Sequence, residues 1–283
     1  MQSKSVLFLG FGDIARRTAA RLPEHRCIGV ARSARKAPEG VEFWQGAADS
    51  LVVQERLRQQ RFDAVVITLT PAEFTAAAYE RGYVETLRNL LPIWQGNPPG
   101  LILLVSSSSV YHQGEGEWVD ESSSAEPEHF SGQSLLRAEA LLRECGLLSC
   151  VVRFAGIYGP GRDFLVRQVR AGKGGSNDFT NRMHADDCAG ILVHLLRRHW
   201  RGEPLAPLYL GCDSNPAAGL EVRYWLARRI GIDSDTLVPS ASTRGGNKRC
   251  CNRRLLASGY KLLYPSYREG YSALLESGEL KGS

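Results

Sequence analysis

Short apolar runs alternate along the chain with segments of helical period. The runs at residues 6–9, 27–31, 41–44, 64–68, 101–106, 150–154 and 208–210 predict strands, and their near-continuous apolar character fits a sheet buried on both faces. Apolar residues at helical spacing predict helices near 14–22, 51–59, 84–94, 133–145 and 188–198. This alternation implies a doubly wound parallel α/β sheet, with its ligand crevice at the carboxyl ends of the strands. After Leu210 the pattern changes to a helix near 218–230, a Ser/Gly/Arg stretch at 240–254 and a short helix near 267–275. Residues 1–160 with 181–212 are therefore expected to form the sheet domain, and 161–180 with 213–283 a small C-terminal lobe. The polar stretch 112–129 reads as a long surface loop, a kind that often carries function.

The first strand, Val6-Leu7-Phe8-Leu9, runs into Gly10-Phe11-Gly12-Asp13-Ile14-Ala15 and then into a helix with Ile14, Ala15, Ala19 and Leu22 on its inner face. Gly10 permits a tight turn, Gly12 lets the backbone approach a phosphate, and Ala15 allows close helix–strand packing. The helix start adds unpaired N–H groups and a positive dipole end. Such a strand–turn–helix is the dinucleotide turn of a Rossmann domain. The second strand ends Gly29-Val30-Ala31-Arg32-Ser33. An NAD site usually carries an acid here for the ribose 2′-hydroxyl. Arg32, Ser33 and Arg35 suit a 2′-phosphate instead, or form a solvated basic loop, so NADP is expected ahead of NAD. The acid expected near Ala47 to meet adenine is missing or displaced to Asp49.

The chain has 283 residues, 43% hydrophobic and 23% charged, which is ordinary globular composition with enough length for a sizeable core. Its net charge of +5 comes chiefly from scattered arginines. That balance fits an anionic small-molecule substrate, and with no basic tract or base-stacking motif no nucleic-acid partner is expected. The first apolar run is too short for a signal peptide and no segment is long enough to span a membrane, so a cytoplasmic protein is expected. The seven cysteines are odd in number and form no CxxC pair, which reads as mostly buried thiols in a reducing compartment. The six histidines do not cluster with them, and no zinc site is expected.

Four further segments resemble the extended short-chain dehydrogenases/reductases of the NAD-dependent epimerase/dehydratase branch. Val105-Ser106-Ser107-Ser108-Ser109-Val110-Tyr111 is similar to their fifth strand, and Arg153-Phe154-Ala155-Gly156-Ile157-Tyr158-Gly159-Pro160-Gly161-Arg162 to their sixth strand and its loop. Asn181-Arg182-Met183-His184-Ala185-Asp186-Asp187 resembles the turn before a later helix, and Gly246-Asn247-Lys248-Arg249 through Tyr264-Pro265 the C-terminal segment. Two departures stand out. The glycine turn has the shorter GxGxxA spacing. The family also places a tyrosine, and a lysine four residues later, in the helix after the fifth strand. There the tyrosine is the acid/base, and the lysine lowers its pKa. In the register fixed by Glu139, those positions hold Ser131 and Leu135; a shift of one residue offers Phe130 instead.

The resemblance places the cofactor contacts at Gly10, Gly12, Asp13, Ile14, Arg32, Ser33, Ser106, Phe154 and Ala155. Ser107 takes the family's serine/threonine position and would hydrogen-bond a carbonyl, with Ser108 as its alternate; equally, both serve as strand-end caps. Tyr111 and His129 are further candidates for the proton. His184 with Asp186 and Asp187 reads better as a helix start, one Asp being the N-cap. Arg162 and Arg249, with Arg244, Lys248, Arg253 and Arg254 around the latter, would meet a polar, nucleotide-sugar-like substrate, or are simply solvated. The stripe Tyr83, Leu87, Leu90 and Leu91, with the helix at 135–142, serves either as core or as a homodimer face. Two functions follow: an NAD(P)-dependent epimerase/dehydratase-like enzyme, or a non-catalytic NADP(H)-binding or sensing protein, which the missing Tyr–Lys pair favours.

Overall fold

The computed structural model describes residues 2–34, 37–240 and 246–280, so Arg35 and Arg244 lie outside the described residues. All seven predicted strands fall in one sheet: β1 (Ser5–Leu9), β2 (Arg26–Ala31), β3 (Val41–Gln45), β4 (Ala64–Ile67), β5 (Ile102–Ser107), β6 (Ser149–Phe154) and β7 (Leu208–Gly211). Their order is β7-β6-β5-β4-β1-β2-β3. β1 pairs in parallel with β2 and β4, β2 with β3, and β4 with β5. The order reverses at β1, which leaves a crevice beyond the carboxyl ends of β1 and β4. The helices are α1 (Asp13–Ala19), α2 (Leu51–Gln59), α3 (Ala76–Tyr79), α4 (Thr86–Gly96), α5 (Phe130–Glu144), α6 (Phe164–Arg170), α7 (Ala185–Trp200), α8 (Gly219–Arg229), α9 (Arg253–Ala257) and α10 (Tyr267–Glu276).

The chain divides into two compact units. The first comprises Met1–Val110, Glu126–Arg153 and Ala189–Tyr209. Its core joins Leu7, Leu9, Val30, Val65, Ile67 and Leu104 of the strands to Leu87, Leu90, Leu91 and Trp94 of α4 and Ala138 and Leu142 of α5. The leucine stripe is therefore core, where each buried side chain contributes about 1.5–3 kcal/mol. The helical run predicted from residue 84 begins earlier, at α3, and passes through a π-helical turn, Glu80–Glu85, before α4. Thr86 fills the widened turn by donating its hydroxyl to the Arg81 carbonyl, five residues back, at 2.9 Å.

A buried ion pair fixes α5 to the sheet. Glu139 and Arg153 are 4% and 5% exposed. Arg153 donates from Nη2 to Glu139 Oε2 at 2.6 Å and from Nε to both carboxylate oxygens at 3.1 and 3.2 Å. The Ser106 hydroxyl of β5 donates to Oε1 at 2.5 Å. One carboxylate thus joins α5, β5 and β6.

The second unit comprises Tyr111–Ala125, Phe154–Cys188 and Leu210–Ser283. Residues 111–125, 154–160 and 181–188 group here because their short strands pair within it: Arg182–His184 with Gly156–Tyr158, and Lys248–Cys250 with Glu117–Val119. The stretch 112–129, expected as a loop, carries the strand Glu117–Val119. Tyr158, Val166, Val169, Val222, Leu226, Tyr267, Tyr271 and Leu274 form its core. The expected Asp N-cap is corrected, because α7 starts at Ala185 and puts both acids in its first turn. His184 Nδ1 accepts the Asp186 N–H at 3.2 Å instead. Asp187 anchors the C-terminal loop, accepting from the Tyr260 hydroxyl and the Leu263 N–H at 2.8 Å each and from the Tyr264 N–H at 3.0 Å. All seven cysteines are free thiols, five buried and Cys145 and Cys251 half-buried.

Glu139→Ala removes the carboxylate that pairs with the buried Arg153. It is expected to cost about 3–5 kcal/mol of stability in urea unfolding, and a cost below about 1 kcal/mol would show the pair to be dispensable.

Candidate functional site

A cavity of about 380 Å³ opens in the first unit at the carboxyl ends of β1 to β4. Each strand end contributes a segment: Gly10–Gly12, then Val30–Ser33, then Gly46–Asp49, then Thr68–Ala72. The turn after β1 is held from both sides. The N–H groups of Gly10 and Phe11 donate to the Val30 carbonyl at 3.1 and 2.9 Å, and the Thr68 hydroxyl donates to the Gly10 carbonyl at 2.6 Å. Gly10 sits at φ +86°, where a Cβ would lie 2.6 Å from the Thr68 carbonyl oxygen. Gly12 is the N-cap of α1 and supplies no side chain to its open N–H groups. Those amides are available to an anion. Asp13 beside them is neutralised locally by Arg17, whose Nε donates to it at 2.9 Å.

Phe11 explains a second glycine. Its ring is fully buried, and a Cβ on Gly29 would lie 2.4 Å from that ring. Gly29 thus makes room under the turn for the residue between the two phosphate-turn glycines.

Arg32 and Ser33 line the same cavity, and Arg32 makes no ion pair among the described residues. Asp49 lines it at the end of β3, and its carboxylate accepts from Asn89 Nδ2 at 2.8 Å. The sequence reading missed the opposite wall, formed by Thr68–Ala72 with Arg81, Gly82 and Glu85 of the π-helical turn. Its signal was weak: Arg81 and Glu85 look like ordinary solvated helix residues, and no local pattern announces a π-turn.

The remaining candidates are distributed as follows. Ser106 commits its hydroxyl to Glu139, whereas Ser107 accepts the Ser109 N–H at 3.1 Å, the strand-end cap that was one of its two readings. Leu135 is a core residue, 4% exposed. Ser131 is half-buried and bonded to His129, the N-cap of α5. In the second unit Tyr111, Phe154 and Ala155 are buried, and Arg162 is half-buried. Arg249 lies between the rings of Trp118 and Phe179, 5.1 and 4.9 Å from their centroids, with Nε donating to the Gly116 carbonyl at 2.7 Å. Burial pushes Asp213 of that unit up to about 7, a near-neutral carboxyl that the sequence pattern does not flag. Among the described residues, no group of acids, cysteines and histidines is arranged to hold a metal, and no helix is long and apolar enough to cross a membrane.

No protein-family model matches the chain, and no curated protein matches it. Among solved structures, a Methylobacillus flagellatus protein provisionally classed as an NAD-dependent epimerase/dehydratase superposes with a TM-score of 0.81 at 36% identity, over 98% of this chain and 99% of that one. The chain belongs to the NAD-dependent epimerase/dehydratase family. A functionally unknown protein from Silicibacter pomeroyi covers 98% of this chain and 100% of its own, with a TM-score of 0.75 and 24% identity. The dTDP-glucose 4,6-dehydratase of Bacillus anthracis, solved in complex with NAD, reaches a TM-score of 0.80 over 99% of this chain and 97% of its own. At 14% identity it carries the fold alone. In this epimerase/dehydratase family member the glycine cradle is intact and the helix after β5 begins with His129 and Ser131.

Gly10→Ala forces a side chain into left-handed backbone, costing about 1–2 kcal/mol before any clash with Thr68. A lowered urea midpoint checks this; an unchanged midpoint would mean that the turn is not held as described.

Proposed function

We propose that this chain binds a nicotinamide dinucleotide, NADP(H) ahead of NAD(H), and acts as an epimerase/dehydratase-type oxidoreductase on a polar substrate. The observation that carries this reading is the cavity at the strand-order reversal, with the Gly10 cradle at one end of its wall and Arg32 and Ser33 at another. The open amides of α1 would take the pyrophosphate, Asp49 would face the adenine, and Arg32 with Ser33 would take a 2′-phosphate where NAD enzymes place an acid. When bound, the nicotinamide supplies a hydride acceptor or donor. Arg249, stacked between two rings with its Nη groups outside any ion pair among the described residues, suits an anionic, nucleotide-sugar-like substrate. The dTDP-glucose 4,6-dehydratases among its structural neighbours, named for a sugar nucleotide, support that class.

A second reading, a dinucleotide-binding sensor without chemistry, draws on Ser131 and Leu135 standing where the family is expected to carry its tyrosine and lysine. Hydride transfer from labelled NADPH to sugar-nucleotide carbonyls separates the two. Calorimetric titration tests the cofactor itself. Arg32→Ala is expected to weaken NADPH about tenfold to a hundredfold, as for a lost charged hydrogen bond, and to leave NADH unchanged. Equal losses for both would remove the 2′-phosphate role.

A further inference from the structure

We infer that His129 and Ser131 form the proton-transfer pair of this site. The inference rests on the NAD(P)-dependent reading above. Ser131 donates its backbone N–H to His129 Nδ1 at 3.3 Å, and its hydroxyl oxygen lies 2.8 Å from the same nitrogen. A nitrogen that accepts an N–H carries no proton, so the hydroxyl also donates to it and the ring proton resides on Nε2. The serine is thereby oriented with a base behind it, the arrangement that activates a serine hydroxyl.

One close approach places the start of α5 at the end of β5, and a ring contact ties His129 to the segment that follows β4. The first turn of α5 lies against the end of β5, because a Cβ on Gly132 would stand 2.7 Å from the Ser109 carbonyl oxygen, two residues past Ser107. The His129 ring stacks on Phe74 at 5.3 Å and 18°, and Phe74 follows the cavity-lining segment Thr68–Ala72 by two residues in the chain. Phe130 packs on Phe74 at 5.1 Å and on His129 itself at 4.1 Å, so the imidazole is held by two rings while the residue remains exposed to water. Among the ionisable groups around it, Tyr79 packs on Phe74 and Phe130, Glu128 precedes it in the chain, and Glu80 is paired with Arg137 of α5 at 2.6 Å.

In the oxidative direction the substrate hydroxyl passes its proton to Ser131 Oγ as the serine's own proton moves to His129 Nδ1. The substrate hydride would pass to a nicotinamide held on the Gly10–Gly12 turn, and the imidazolium gives its Nδ1 proton to water, which restores the Nε2–H ring. One alcohol and one oxidised cofactor yield one carbonyl, one reduced cofactor and one proton; reduction runs the same transfers backwards.

The test uses the full-length protein, NADPH and 4-nitrobenzaldehyde as the carbonyl probe. His129→Asn keeps an N-cap that the helix accepts and removes the titrating ring, and Ser131→Ala removes the relay. Both are expected to bind NADPH as the wild type does, to reduce the aldehyde at least about a hundredfold more slowly, and to flatten the pH dependence of the rate. A second readout needs no turnover: in ¹⁵N NMR of the free protein at neutral pH, His129 Nδ1 should appear as an unprotonated acceptor whose signal moves in Ser131→Ala. A His129→Asn rate and pH profile like the wild type's, a protonated Nδ1, or a wild type that binds NADPH without reducing the aldehyde would each overturn the pair. Absence of NADPH binding would sink the underlying reading instead.

Discussion

The first unit is organised around a carboxylate almost wholly withdrawn from water. Glu139 takes three hydrogen bonds from Arg153 and one from Ser106. Removing both charges from solvent costs several kcal/mol, and only near-complete satisfaction of their donors and acceptors offsets that cost. The consequence is positional. With Glu139 anchored to β5 and β6, the rotation and height of α5 are set, and its first turn is pressed onto Ser109 and Pro127 through Gly132. The placement of His129 and Ser131 follows from that seating.

The cofactor cavity depends on a similar economy of space on the other side of the sheet reversal. Gly10, Gly29 and the Thr68 backbone leave no room for additional atoms, and Phe11 occupies the volume that Gly29 gives up. The turn is therefore rigid before any ligand arrives, with its amides already directed outward. Preorganisation of this kind reduces the ordering cost of binding an extended dinucleotide. In the proposed reading, cofactor recognition and proton chemistry would be carried by separate supports, the glycine turn and α5. That separation lets the glycine turn stay intact while Ser131 and Leu135 occupy the positions where the family's usual dyad is expected.

Much of this was legible in the sequence. Each of the seven apolar runs became a strand of one sheet, because a strand buried on both faces has a composition that few other elements share. The glycine turn was equally readable, since its geometry is local, and Arg32 and Ser33 line the cavity beside it. The missing elements depend on long-range partners or on unusual local chemistry. Glu139 and Arg153 are fourteen residues apart with no pattern linking them. Both α5 and α7 are capped by a histidine nitrogen rather than by the hydroxyl or carboxylate that marks most helix starts, so α7 was placed three residues late. The short strands of the second unit pair across long stretches of chain, Glu117–Val119 with Lys248–Cys250 across more than a hundred residues, and two or three residues carry no usable period.

The central claim is that the cavity beyond β1 holds a nicotinamide dinucleotide whose phosphates rest on the Gly10–Gly12 turn. Crystals of the protein soaked with NADP⁺ test it most directly. The account predicts pyrophosphate density over that turn, with the adenosine 2′-phosphate beside Arg32 and Ser33. Density for the nucleotide elsewhere, or an empty cavity at saturating NADP⁺, would contradict it.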